Sequence, residues 1–213
     1  MTAAVRKHLH AACPVLSAHI KRVGPLPWPK PETDDLYLAL VRAVAHQQLH
    51  ARAAETILGR LAAANGGAIP APKALLDMSD ETIRACGFSG SKMAALRDIA
   101  AKTADGTVPA TAKAKKLSDQ ELIDRLTIIR GVGQWTVEML LIFTLKRPDI
   151  FPVDDFGVRE GYRLLHGLEI QPKPKPFAII GQLYAPYRSM ASLYLWRAAD
   201  LAKPVKASAG GAA

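Results

Sequence analysis

Apolar residues recur at three- and four-residue intervals along most of the chain, and the two-residue alternation of a half-buried strand is nearly absent, so the pattern predicts a mostly α fold. Behind a proline-rich entry, VGPLPWPKPETDD, Thr33 or Asp34 can cap a helix carrying Leu36, Leu40 and Val44 on to about Leu49. A second helix runs from about Ala51 to Ala64 and ends at NGG. Ser79 begins a short helix up to Gly87, and Ser91 can cap SKMAALRDIAAKTA. Ser118, with Glu121 three residues on, forms a capping box for SDQELIDRLTII. The helix carrying WTVEMLLIFTL stops before Pro148, Asp154 or Asp155 caps the next one through Leu165, and Pro186 opens the last long helix. The tail, residues 204–213, reads as disordered.

Composition adds bounds to this picture. With 49% hydrophobic residues in 213, the chain can build a substantial core. No apolar run reaches 18 residues and the N-terminus has no uninterrupted apolar stretch, so neither a membrane span nor a signal peptide is expected. Two distant cysteines, Cys13 and Cys86, do not make a disulfide framework or a four-thiolate metal site, and a reducing cytoplasm fits best. His8, His10 and Cys13 invite a zinc reading, but a two-residue gap splays the histidines on a helix and no second ligand cluster follows. The net charge of +9 favours a polyanionic partner, and nucleic acid leads that class.

Local chemistry concentrates in LTIIRGVGQWTVEML, where Gly131-Val132-Gly133 joins two helical segments. Glycines there can adopt φ > 0, turn N–H groups outward ahead of a helix N-terminus and admit a phosphate without side-chain obstruction. An ordinary tight turn between helices would use the same residues. About twenty residues on, DIFPVDDFGVRE places the paired acids Asp154 and Asp155 at the start of a helix. One can serve as its cap and leave the other for chemistry, since an acid facing an anion-binding surface does not help DNA affinity.

The blocks AVAHQQLHARAAETI, IIRGVGQWTVEMLLIF through FPVDDFGVRE, and YAPYRSMASLYLWRAAD, with the weaker CGFSGSKMAALRDIA, together resemble the helix-hairpin-helix DNA glycosylase superfamily, within it the alkylbase (3-methyladenine, type II) branch. The match covers roughly residues 35 to 201. It implies an all-α fold of two helical lobes within residues 1–203, a middle lobe of about 50–145 and another from the two ends of the chain, with the active site in the cleft. The extra N-terminal β domain of some relatives is not expected. The resemblance implies that Gly131, Val132, Gly133 and Thr136 hold a DNA backbone phosphate, aided by a monovalent cation on backbone carbonyls, with no other cofactor. It puts the catalytic acid at Asp155 and the helix cap at Asp154. Base-pocket positions fall on Trp135, Met139, Phe156, Tyr187 and Trp196, where core packing is the competing reading for the aromatics. Gln48, flanked by Gln47 and Leu49, falls where the family inserts a wedge into the duplex, and His46 replaces a common glycine. Gly87, Ser91 and Lys92 suggest a second phosphate-holding turn, and Met139 replaces a tyrosine of some relatives.

Cleaving an N-glycosidic bond builds positive charge on the sugar, which a fixed carboxylate stabilises. Bifunctional relatives carry a Schiff-base lysine two residues beyond the second hairpin glycine; Trp135 occupies that position, so a monofunctional enzyme is expected. The expected substrate is double-stranded DNA with alkylated purines, 3-methyladenine and 7-methylguanine, processed by a monomer at the nucleoid of a bacterial cytoplasm. A non-catalytic helix-hairpin-helix DNA-binding protein, or a glycosylase for deaminated or oxidised bases, would share the hairpin.

Overall fold

The computed structural model describes residues 1–203; the tail expected to be disordered lies outside the described residues. Among the described residues the chain is helical and contains no strand. In order the helices are α1 (Ala3–Ala12), α2 (Pro14–Val23), α3 (Leu36–His46), α4 (Ala51–Ala63), α5 (Pro72–Asp77), α6 (Asp80–Ala85) and α7 (Gly90–Ala104). Then follow α8 (Thr111–Ala114), α9 (Asp119–Leu126), α10 (Gln134–Met139), α11 (Phe156–His166), α12 (Pro174–Gly181) and α13 (Arg188–Ala202).

The chain divides into two compact units, one of Pro29–Lys146 and one of Met1–Trp28 with the segment from Arg147 onward. The first begins about twenty residues earlier than the expected middle lobe, because α3 packs on α4 and α7 and belongs with them. Its core is drawn from one face of each helix: Leu36, Leu40 and Val44 of α3, Leu58 and Leu61 of α4, and Leu96 and Ile99 of α7 are all buried. The capping box forms as the spacing requires, with Ser118 Oγ accepting from Glu121 N–H and Glu121 Oε2 accepting from Ser118 N–H. Two caps of this unit fall elsewhere than expected. Asp35, not Thr33 or Asp34, accepts from Leu38 N–H at 2.9 Å, and Ser89, not Ser91, accepts from Lys92 N–H. Ser91 lies in the first turn of α7, its hydroxyl 3.1 Å from that of Ser89. The apolar run WTVEMLLIFTL is also not one regular helix: α10 passes into a π-helical turn, Leu140–Thr144, in which Leu145 N–H reaches back to Leu140 O at 2.9 Å. The wider turn buries the consecutive side chains Leu140, Leu141 and Ile142.

In the second unit α11 lies against α13. Gly157 and Gly161, one turn apart on α11, have no room for a side chain: a Cβ would come within 2.7 Å of Trp196 Cδ1 at the first and 1.8 Å of the Leu195 carbonyl oxygen at the second. The loop leading to α11 is fastened to the start of α13. Arg188 grips Asp149 through Nε and Nη2 at 2.7 and 2.9 Å, and Ser189 Oγ accepts from Ile150 N–H while donating to Arg147 O. Burial alone would push the Asp149 carboxyl up, but its bonds to Arg188 hold it below the ordinary carboxylate value.

Candidate active site

The candidate residues of the first unit lie in the hairpin and α10 behind it, in the turn after α3 and in the turn into α7. In the hairpin Val132 is buried and anchors the loop, while Gly131 and Gly133 are exposed. Only Gly131 takes the left-handed conformation (φ +76°); Gly133 is extended (φ −91°) and precedes α10 as its N-cap. Val132 N–H is spent inside the loop on Ile129 O at 3.0 Å, so the outward donors are not successive. The N–H groups of Gly131 and Gly133 have no partner among the described residues. They flank the buried valine as two donors available to an anion. Thr136 is buried in the first turn of α10. Replacing Gly131 by proline would demand a negative φ and is expected to weaken duplex binding regardless of sequence, lowering the salt slope of log affinity by about one contact. A salt titration with undamaged duplex measures this, and an unchanged slope would remove the hairpin from the interface.

The turn after α3 holds Gln47, Gln48 and Leu49. Gln48 is exposed and adopts φ +56°, a strained conformation for a side-chain-bearing residue that sets it apart at the tip. Leu49 is also exposed. Gln47 is committed differently, its Nε2 donating to Gly131 O at 2.8 Å. His46, at the family's glycine position, closes the helix end and pairs with Glu55 at 2.9 Å. At the second turn Gly87 is left-handed (φ +106°) and exposed. The Lys92 ammonium donates to Ala45 O at the end of α3, and burial pushes it below the ordinary lysine value.

In the second unit Asp155 is buried (8% exposed) and Asp154 is exposed. The cap expected at Asp154 is instead Asp155 itself: its Oδ1 accepts Val158 N–H at 2.8 Å and Trp196 Nε1–H at 2.7 Å. The cap thus falls on the acid that the resemblance marks as catalytic, because the N-cap geometry needs the carboxylate adjacent to the first helical residue, Phe156. Two converging donors fix the plane of a desolvated carboxylate at the positive end of a helix, the setting in which a carboxylate acts on developing positive charge with little reorganisation.

The base-pocket candidates divide by unit. Trp135 (46% exposed) and the half-buried Met139 lie on α10 in the first; Phe156 (69% exposed), Trp196 and Tyr187 lie in the second. Core packing is thereby set aside for Trp135 and Phe156, since a core residue is not half to two-thirds exposed. Tyr187 meets the His8 ring edge-on at 5.3 Å and lines a cavity of about 290 Å³ with Trp28, Pro148 and Met190. No group of three or more histidine, cysteine or acidic side chains that could hold a metal occurs among the described residues. Asp98, which the sequence did not single out, accepts Arg130 N–H at 2.7 Å and so braces the hairpin; nothing in a charged helix face signals a contact 32 residues away.

Residues 41–184 match the profile of the HhH-GPD superfamily of base excision DNA repair proteins. The chain is 46% identical over 179 residues to DNA-3-methyladenine glycosylase 1 of Schizosaccharomyces pombe, covering 82% of this chain and 78% of that protein. It is 32% identical over 194 residues to the alkylbase DNA glycosidase-like protein mag2 of the same yeast, covering 90% and 91%. Among solved structures, that of the S. pombe 3-methyladenine DNA glycosylase in complex with abasic DNA superposes with a TM-score of 0.84 at 40% identity, over 96% of this chain and all of that one. The DNA-3-methyladenine glycosidase of Bacillus halodurans superposes at 0.82 with 33% identity, over 91% and 88%. A glycine hairpin, a buried capping aspartate and an all-helical fold, with these similarities, establish that the chain belongs to the HhH-GPD superfamily of base excision DNA repair proteins.

Proposed function

We propose that the protein is a monofunctional DNA glycosylase that hydrolyses the N-glycosidic bond of alkylated purines, 3-methyladenine and 7-methylguanine, in duplex DNA and leaves an abasic site. The observation that carries this reading is Asp155, a buried carboxylate fixed by two donors. Pure DNA binding gains nothing from it. As the base departs, positive charge builds on the deoxyribose, and a preorganised carboxylate in a largely dry site is worth several kcal/mol, about 3, toward that transition state. Asp155 also orients the attacking water. A methylated purine already carries positive charge and leaves readily, so no strong general acid is needed. The base must leave the stack to be reached. In the second unit the exposed ring of Phe156, next to Asp155, and the ring of Trp196 offer faces on which a cationic purine stacks.

The hairpin amides hold a backbone phosphate of the damaged strand. A monovalent cation bound there would sit on backbone carbonyls and offset phosphate charge; Gly131 O already accepts from Gln47, so the cation would share it or use its neighbours. Trp135 cannot form a Schiff base, and strand cleavage is not part of the reaction.

The test is a panel of methylated, deaminated and oxidised duplexes, with free base and abasic sites measured separately from nicks. Release of 3-methyladenine or 7-methylguanine without nicking is expected. Release confined to deaminated or oxidised bases would move the activity to another lesion class, and no release from any duplex would leave a DNA-binding protein.

A further inference from the structure

The turn carrying Gln48 and the glycine hairpin are far apart in sequence, yet hydrogen bonds join them in a closed circuit within the first unit. Gln47 Nε2 donates to Gly131 O at 2.8 Å, which ties turn to hairpin directly. Helix α7 completes the circuit with residues at three-residue intervals, neighbours along one ridge of a helix. Lys92 Nζ holds Ala45 O, the last turn of α3, at 2.8 Å. Ala95 is the small residue against which Gly131 rests, at a distance where a Cβ on Gly131 would come within 3.2 Å of the Ala95 Cβ. Asp98 Oδ2 takes Arg130 N–H at 2.7 Å, immediately before the hairpin glycines.

Two of these choices work against phosphate affinity. A carboxylate one residue from a phosphate grip repels the ligand, and Lys102, 3.7 Å from its other oxygen, offsets that only in part. Lys92 gives an ammonium to a carbonyl when it could have faced the strand. Gln47 likewise turns an amide that could reach a base toward the protein's own backbone. What the three side chains gain in common is a fixed offset from the exposed, strained Gln48 to the Gly131 and Gly133 amides.

We propose that Gln47, Lys92 and Asp98 are positioning residues for base release, locking the Gln48 turn and the hairpin into one piece so that the held phosphate determines where Gln48 enters the duplex. This rests on the glycosylase reading above. Gripping a phosphate and unstacking a base then become one event, since neither element can shift without the other.

The test uses single-turnover release of 7-methylguanine from methylated duplex, affinity for a duplex with an abasic analogue, and a 2-aminopurine beside the lesion as a reporter of unstacking. Gln47→Met keeps the length of the side chain and removes its donor. It is expected to lower the release rate and the 2-aminopurine signal by on the order of tenfold, with affinity changed less than about threefold. In a Gln48→Ala background the same substitution should add little, because the residue being positioned is gone. Asp98→Asn keeps an acceptor for Arg130 N–H and should retain most of the rate that Asp98→Ala loses. If Asp98 mattered only through its charge, both variants would behave alike and bind tighter. Additive losses for Gln47→Met and Gln48→Ala, a silent Gln48→Ala, or equal behaviour of the two Asp98 variants each overturns the proposal. Wild-type protein that releases no base from the lesion panel fails the glycosylase reading itself, a separate result.

Discussion

Asp155→Asn is expected to slow base release by about a hundred- to a thousandfold while leaving duplex affinity and melting temperature close to those of the wild type. The geometry makes this substitution unusually clean. Asparagine is as good an N-cap as aspartate, and its carbonyl oxygen can keep both bonds now made by Oδ1, to Val158 N–H and Trp196 Nε1–H. The negative charge is removed and Oδ2 becomes an amide nitrogen, while the cap and the bond from Trp196 stay. Asp155→Ala, by contrast, also deletes the cap, worth about 1 kcal/mol, and strands the Trp196 N–H, so its melting temperature should fall with its rate. The measurements are single-turnover release and thermal melting on the same preparations. An Asp155→Asn variant within about threefold of wild type would show that charge at this position does not drive the step.

Gly161→Ala is expected to cost the fold most. On an open helical face glycine to alanine gains up to about 1 kcal/mol, because alanine gives up less backbone entropy. Gly59 of α4, with nothing within 4 Å of an added Cβ, is the matched control and should behave that way. At Gly161 the methyl would lie 1.8 Å from the Leu195 carbonyl oxygen and 2.5 Å from its carbon, backbone atoms with no rotamer to yield, so α11 and α13 must move apart. The expected loss is about 3 kcal/mol, the upper range for overpacking. In a chain of this size that is a fall of roughly 10 °C in melting temperature. Activity should fall too, since Trp196 follows Leu195 and its bond to Asp155 spans the same two helices. Equal melting temperatures for Gly161→Ala and Gly59→Ala would mean that the α11–α13 contact is looser than the structure has it.

Much of the fold is legible in the chain because each helix carries its own start signal and apolar face. Ser79, the Ser118–Glu121 box and the periodicity of α3 and α4 depend on neighbours within four residues, which a sequence displays. The misplacements are local competitions: Ser89 against Ser91, and Asp35 against Thr33 or Asp34, are choices among good caps that only the path of the chain decides. The capping role given to Asp154 went wrong for a different reason. Two adjacent acids suggested two separate jobs, whereas one carboxylate has lone pairs enough for a cap and for Trp196 at once. The π-helical turn was hidden because an unbroken apolar run looks the same whether its turns are regular or widened.

The candidate site followed the same division. The hairpin glycines and Asp155 stand out as residue types in a spacing. Lys92 and Gln47 also stood out, as polar groups beside DNA-binding motifs, but their donors serve backbone carbonyls at Ala45 and Gly131 that no sequence pattern marks as needing them. Asp98 carried no signal at all, because its partner is an amide and every residue but proline has one.

Asp155 is the N-cap of α11, and helix ends open and close far more readily than helix middles. The chemistry proposed for it is therefore exposed to fraying of a single turn, an event much smaller than unfolding. Trp196 is the peg against that event: from the well-packed helix α13 it holds the carboxylate oxygen that the helix end alone would release. On heating, the reaction would fail where this peg slips rather than where the protein melts, and the interval from one temperature to the other measures how firmly a single indole N–H secures the working end of a helix.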